Sequence, residues 1–202
     1  MHLSSMQNME RFRDRHLAAR RGERLRIVDL GSTDIGGCYR PLFDNPSWDY
    51  RGLDLAPGPN VDIVLKRPYH WDCLPAESVD VFISGQVLEH VEYFWITALE
   101  ISRVLRPGGI ACLIAPSGGY EHRYPVDCWR FYPDGMRALA RFARLECLDA
   151  YTQWEGSDDP GSDPWKDTVL VLRKPQRPWP KALAVRWLQA LQHRLLGFRL
   201  ID

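Results

Sequence analysis

Apolar residues in this chain cluster in short runs, separated by glycine, proline and charged residues. Arg26–Leu30 (RIVDL) reads as a short apolar strand that stops at Gly31. Tyr50–Leu55 (YRGLDL) reads as a second, closed by the turn sequence APGPN, and Val61–Val64 as a short third. Val79–Ser84 (VDVFIS) and Ile110–Ala115 (IACLIA) are the fourth and fifth. Between these last two, Phe94, Ile96, Leu99, Ile101, Val104 and Leu105 recur at helical spacing. They predict a helix over Val91–Leu105, stopped by Arg106-Pro107-Gly108-Gly109. Pro133–Phe142 reads as a helix with proline in its first turn. Leu145–Trp154 and Thr168–Arg173 read as a closing pair of strands, joined by a polar loop, Glu155–Asp167.

Short, nearly continuous apolar strands that alternate with helices predict a doubly wound α/β sheet, mostly parallel and covered on both faces. Two successive strands near the end predict an antiparallel edge. Residues 5–21 read as a basic helix ending near Gly22, and Pro175–Pro180 as a stiff linker. Lys181–Leu196 follows as an amphipathic helix carrying Trp187, Leu188, Leu191, Leu195 and Leu196. Its stripe suits covering the domain, a homodimer seam or a membrane surface, with packing on the protein or a partner subunit as the expectation. The organisation expected is an N-terminal helical extension (1–25), one α/β domain (26–175) and a C-terminal amphipathic helix (176–202).

Composition narrows the class. Lys+Arg and Asp+Glu are both 26 in 202 residues, so no overall attraction to nucleic acid is expected. The N-terminus lacks an apolar run, and no stretch approaches the ~20 apolar residues that span a bilayer. The five cysteines form no CxxC pair, so reduced thiols in a cytoplasmic protein are expected.

In a doubly wound sheet, ligands bind at the carboxyl ends of the strands. The first strand–helix turn reads Asp29-Leu30-Gly31-Ser32-Thr33-Asp34-Ile35-Gly36-Gly37. Gly31 would let a ligand approach the backbone. Asp54 ends the second strand roughly 20 residues on, the offset at which an acidic residue meets ribose hydroxyls. A carboxylate can accept two hydrogen bonds from a vicinal diol. The turn is neither a phosphate-binding GK[ST] loop nor GxGxxG, which favours a nucleoside without phosphates.

The order VDLG, GLDL, SVDVFISGQVLEHV and RVLRPGGIACLIAPS resembles the class I S-adenosylmethionine-dependent methyltransferases, closest to the group that methylates small molecules. The resemblance covers roughly Arg26 to Arg173. It implies a Rossmann-like, seven-stranded sheet and S-adenosylmethionine as cofactor. It assigns Asp29 and Gly31 to the methionine end, Ser32 to the cofactor pocket, Asp54 to the ribose and Leu55 to the adenine, with Trp71 and Asp72 near the adenine segment. Ser84, Gly85 and Gln86 would line the floor beneath the sulfonium, and His90 would close that wall. Thr33 and Ile35 depart from the family's GxGxG turn, and Gly36 and Gly37 would compensate with a longer loop.

The loop PSGGYEHRYPVDCWRFYPDG after the fifth strand would open beside the methyl group. Loops at this edge carry function while the scaffold holds them. Tyr120, Glu121, Tyr124, Trp129 and Arg130 are the acceptor-binding candidates. His122 is the candidate general base, because histidine titrates nearest neutrality, with Asp127 orienting it or holding an acceptor hydroxyl. Structural roles stand beside these: Asp127 capping a turn, Arg130 paired with Asp134, Trp129 in the core.

The stretch HRYPVDCWRFYPDGMRAL is similar to O-methyltransferases of actinobacterial sugar and glycolipid pathways, among them those that methylate a mannose 1-hydroxyl in methylmannose polysaccharide. That resemblance implies an oligosaccharide acceptor and allows Mg2+, for which Glu155, Asp158, Asp159 and Asp163 could supply oxygen ligands. Two other readings stand: a nucleoside-binding regulator without turnover, and a methyltransferase of another small molecule. The absence of a basic domain argues against RNA, and SGQV stands where an NPPY or DPPY tetrapeptide would mark N-methylation.

Overall fold

The computed structural model describes residues 2–155 and 160–200, the last five by backbone alone. Asp158 and Asp159, and the side chain of Leu196, lie outside the described residues. Seven strands form one sheet in the order β3-β2-β1-β4-β5-β7-β6. They are β1 (Leu25–Leu30), β2 (Trp48–Asp54), β3 (Ile63–Val64), β4 (Val79–Gly85), β5 (Leu105–Pro116), β6 (Glu146–Thr152) and β7 (Asp167–Arg173). β1 to β5 pair in parallel, while β7 runs antiparallel to both β5 and β6. This is the expected doubly wound architecture, with the reversed strand one place in from the edge.

The strands alternate between two cores, as a two-residue period requires. Val28, Phe82 and Leu113 face α2 (Phe94–Val104) and α3 (Pro133–Phe142). Ile27, Val81, Ile83 and Ile114 face α1 (Leu3–Leu17). The β1–β2 crossover contains only a 3-10 turn, Arg40–Phe43. Met9, Phe12 and Leu17 of α1 fill the space over it, against Tyr39 and Phe43.

Two elements depart from the pattern-based reading. Arg106-Pro107-Gly108-Gly109 does not separate helix from strand: β5 starts at Leu105, directly after α2. Leu105 pairs with Val79, and Gly108 and Gly109 exchange backbone hydrogen bonds with Lys174. The C-terminal helix, α4 (Trp179–Leu200), begins inside the expected linker. It docks through Gln189 and His193, while Trp179, Leu183, Trp187, Leu188, Leu191 and Leu195 remain 41–77% exposed. All five cysteines are unpaired, and only Cys112 is fully buried.

Candidate active site

Parallel strands β1, β2 and β4 end side by side, and the first turn is built on those ends. The amides of Gly31 and Ser32 donate to the Leu53 carbonyl at 2.8 and 3.1 Å. Gly31 has φ +73°, and a Cβ there would stand 2.1 Å from the Val87 side chain. Asp54 Oδ2 accepts the Thr33 amide (3.0 Å) and hydroxyl (2.7 Å), while Oδ1 accepts the Leu55 amide. An oxygen with a single donor keeps a lone pair for another. Beside Asp54 in the ladder stands Val64. Leu55 and Val64 are 57% and 46% exposed. An accessible carboxylate flanked by open apolar side chains fits the ribose and adenine of an adenosyl group. Val64 has no motif around it and was not singled out from the sequence.

Other candidates for this end are covered. Ser32 is buried against Asn60. Asp29 is buried and accepts a hydrogen bond from the Tyr50 hydroxyl. Burial raises its carboxyl to about 7. Trp71 corrects the adenine assignment: it is fully buried, stacks on Phe82 and donates through Nε1 to the Pro68 carbonyl. Its large apolar surface gains more in the core than in an open site. Asp72 is a surface group held by Arg67 and His70 at 2.6 Å each.

At the tip of β4, Ser84 is buried and donates to the Leu30 carbonyl, tying β4 to β1. The Tyr39 hydroxyl packs against Gly85 so closely that a Cβ would collide with it. Gln86 adopts φ +60°, a conformation costly for a side-chain-bearing residue and concentrated at functional sites. Its Nε2 donates to Asp167 Oδ1 at 2.9 Å, and Ser4 of α1 donates to Asp167 Oδ2 at 2.6 Å. Ser5 of α1 shares a 2.6 Å hydrogen bond with Tyr39. The N-terminal helix thus reaches the strand tips with two serines. Neither serine nor Asp167 carries a motif, and only their burial distinguishes them.

A 3-10 turn, Leu88–His90, follows and meets the loop after β5. The His90 Nδ1–H donates to the Val126 carbonyl at 2.6 Å, and its ring stands edge-on to His122 at 4.8 Å. Burial lowers the His90 pKa. His122 Nδ1 lies 3.4 Å from Asp127 Oδ2, and Trp165 covers the ring at 4.6 Å. Arg130 grips both oxygens of Asp127, at 2.6 and 2.9 Å. That pairing holds the Asp127 carboxyl far below the usual carboxylate range, so it is a permanent anion and a poor base. Asp134 pairs with Arg137, not with Arg130.

Trp129 donates to the carbonyls of Val91 and Glu92 and packs on Phe94 and Trp95. It anchors the loop and is only partly available for stacking. Glu121 pairs with Arg123 at the surface. Tyr120 and Tyr124 are 69% and 61% exposed. Tyr132 and Trp154 form a stacked, exposed pair, 6.3 Å apart.

Glu89 has no hydrogen-bond partner for either carboxylate oxygen among the described residues. It is fully buried, and desolvation raises its carboxyl to about 8. LEHV is the only sequence signal for it, and that reads equally as a helix start. Glu89, His90 and His122 each offer one potential ligand atom within 4.8 Å of the others; His70, Glu100 and His193 form the second such group. Two imidazoles and one carboxylate do not fit Mg2+, which prefers oxygen ligands in an octahedron.

Residues 28–113 match a family model described as a methyltransferase domain. The match supports S-adenosylmethionine as the cofactor. Curated relatives include a methyltransferase of Mycobacterium ulcerans, 41% identical over 76 residues, and one of Mycobacterium avium, 41% identical over 73, neither characterised further. The alignments cover 35% and 34% of this chain and only 28% and 27% of those proteins. In fold, the chain is similar to a Burkholderia thailandensis 1,6-didemethyltoxoflavin-N1-methyltransferase solved with S-adenosylhomocysteine (TM-score 0.65, 15% identity, covering 85% of this chain and 79% of that one). It is also similar to the [4+2]-cyclase SpnF (TM-score 0.62, 17% identity, 85% and 83%). A fold shared by a methyltransferase and a cyclase leaves the chemistry to the site.

Proposed function

We propose that this protein is an S-adenosylmethionine-dependent O-methyltransferase whose acceptor is a sugar hydroxyl, a mannoside of polysaccharide biosynthesis. The observation that carries the reading is the His122–Asp127–Arg130 array, set against His90 at the tip of β4. When bound, S-adenosylmethionine supplies an electrophilic methyl group on a sulfonium.

The chain's own residues would do the rest. Asp54 Oδ1 would accept from the ribose, with Leu55 and Val64 against the adenine, Gly31 at the methionine end and the Ser84–Gln86 backbone as floor. His122 would take the acceptor's hydroxyl proton as the new C–O bond forms and the methyl–sulfur bond breaks, leaving imidazolium beside Asp127 and S-adenosylhomocysteine as the departing product. Asp127 stabilises that cation and holds the ring, while Arg130 keeps Asp127 ionised. Such a base contributes ~10²–10⁴-fold, and alignment of acceptor and donor ~7–11 kcal/mol. The exposed rings of Tyr120, Tyr124 and the Tyr132–Trp154 pair offer flat apolar faces to the C–H faces of a sugar. Glu121, Trp129 and Arg130 shape the loop that carries them.

An acceptor screen with labelled S-adenosylmethionine, with and without Mg2+, tests the proposal. It should include short mannosides, other glycosides and non-sugar alcohols. Label transfer to a mannoside hydroxyl is expected. Transfer to other acceptors alone would reject the sugar assignment. S-adenosylhomocysteine binding without any transfer would favour the nucleoside-binding regulator.

A further inference from the structure

Helix α4 is turned inside out. The residues it presents to the body are polar: Gln189 Nε2 donates to Ser102 Oγ at 2.7 Å and to the Ala143 carbonyl at 2.9 Å. The His193 Nε2–H donates to the Tyr69 carbonyl at 2.7 Å. Trp179, Leu183, Trp187, Leu191 and Leu195 recur every four residues and stand 41–77% exposed. That spacing places successive members one turn apart, so together they wind as a ridge over one side of the helix. A helix of a water-soluble domain ordinarily buries such a ridge, and a contiguous exposed apolar patch marks an interaction site.

Charge identifies the occupant. Lys181, Arg186 and Arg194 are exposed on the same helix, and no aspartate or glutamate occurs between Asp167 and Asp202. A cavity of about 670 Å³ beside the helix is lined by Arg67, Arg103 and Lys174, but these pair with Asp72, Glu100 and Glu77. The positive charge left to the helix is therefore that of Lys181 and Arg194, with Arg186 3.7 Å from Glu77. A second copy of this helix would bring like charges together, whereas an anionic lipid surface complements them. Among the described residues no helix is long and apolar enough to cross a membrane.

We infer that α4 is an interfacial helix that docks the protein on an anionic lipid surface. The tryptophan–leucine ridge enters the boundary between headgroups and acyl chains, and Lys181, Arg186 and Arg194 meet the lipid phosphates. The inference does not depend on the reaction proposed above.

Vesicle co-sedimentation of the full chain tests it, using phosphatidylcholine alone and phosphatidylcholine mixed with phosphatidylglycerol. Binding to the mixed vesicles is expected, at least ~10-fold tighter than to phosphatidylcholine and released by high salt. Trp187→Ser/Leu191→Ser and, separately, Lys181→Gln/Arg186→Gln/Arg194→Gln should each weaken it ~10-fold or more. Far-ultraviolet circular dichroism serves as the folding control for both variants. Failure of the unmutated chain to bind mixed vesicles, or unchanged binding by a folded Trp187→Ser/Leu191→Ser variant, overturns the inference. A concentration-dependent dimer dissolved by that variant, without vesicle binding, would make a second copy the occupant instead.

Discussion

Asp127 holds His122 through the backbone: one carboxylate oxygen accepts the His122 amide at 2.8 Å and lies 3.4 Å from the same residue's Nδ1, which stands equally near the Tyr120 carbonyl. The backbone bond fixes where the ring begins, and the side-chain approach fixes which way it points. Arg130, bound to both oxygens, prevents the carboxylate from turning away. The three groups are therefore tied together, with Nδ1 between the Asp127 carboxylate and the Tyr120 carbonyl.

Replacing His122 by alanine should lower turnover ~10²–10⁴-fold, the usual contribution of a general base. Affinity for S-adenosylhomocysteine should change less than about threefold, because the ring touches none of the residues around Asp54. Single-turnover kinetics beside calorimetry separate the two. Unaltered turnover removes His122 from the mechanism. Asp127→Asn should mimic much of the loss in kcat, since the neutral amide no longer stabilises an imidazolium.

Asp54→Ala should weaken S-adenosylhomocysteine ~10–100-fold, the cost of removing a hydrogen bond to a charged group. Thr33 also loses its two bonds to this carboxylate. Asp54→Asn keeps an acceptor and should show a smaller deficit. Equal affinities for all three proteins, by calorimetry, would place the ribose elsewhere.

The sheet was legible because burial on both faces leaves near-continuous apolar runs such as VDVFIS and IACLIA. Gly31, Asp54 and the His122 loop were legible from strand ends. Residues whose role depends on distant partners were not. The family resemblance put Trp71 near the adenine, yet Phe82, met only in the folded core, determines its place. Trp165 lies in what reads as a featureless polar loop and covers His122 only after β7 aligns with β5. Glu89 reads as a helix-start residue, and its buried carboxylate, without a hydrogen bond among the described residues, is visible only in three dimensions. The apolar residues of α4 are legible in the sequence and predict packing on the protein or a partner subunit, but pattern alone does not say which face the body takes.

Gly31→Ala should destabilise the fold by about 1–3 kcal/mol, because an L-residue at φ +73° is strained and its Cβ must displace Val87. Thermal melts of cofactor-free protein report this without any assumption about activity. A melting temperature equal to that of the parent would mean that the turn relaxes freely.

Stability should fall with pH through the buried Asp29. Its ordinary value of 3.8 rises to about 7 in the fold because burial disfavours the charged carboxylate. The folded chain therefore holds a proton that the unfolded chain releases between these values. The contribution is fully present below about pH 4. It is lost as pH rises through 7, with a slope of about 1.4 kcal/mol per unit at its steepest. Asparagine carries no proton to lose and can still accept the Tyr50 hydroxyl. Urea unfolding of the parent and Asp29→Asn at pH 5 and pH 8 isolates this group, since every other titration cancels in the difference. The variant should gain on the parent as pH rises. Parallel profiles would show that the Asp29 carboxyl is ionised in the fold, so that its burial is offset by a cation such as Arg40.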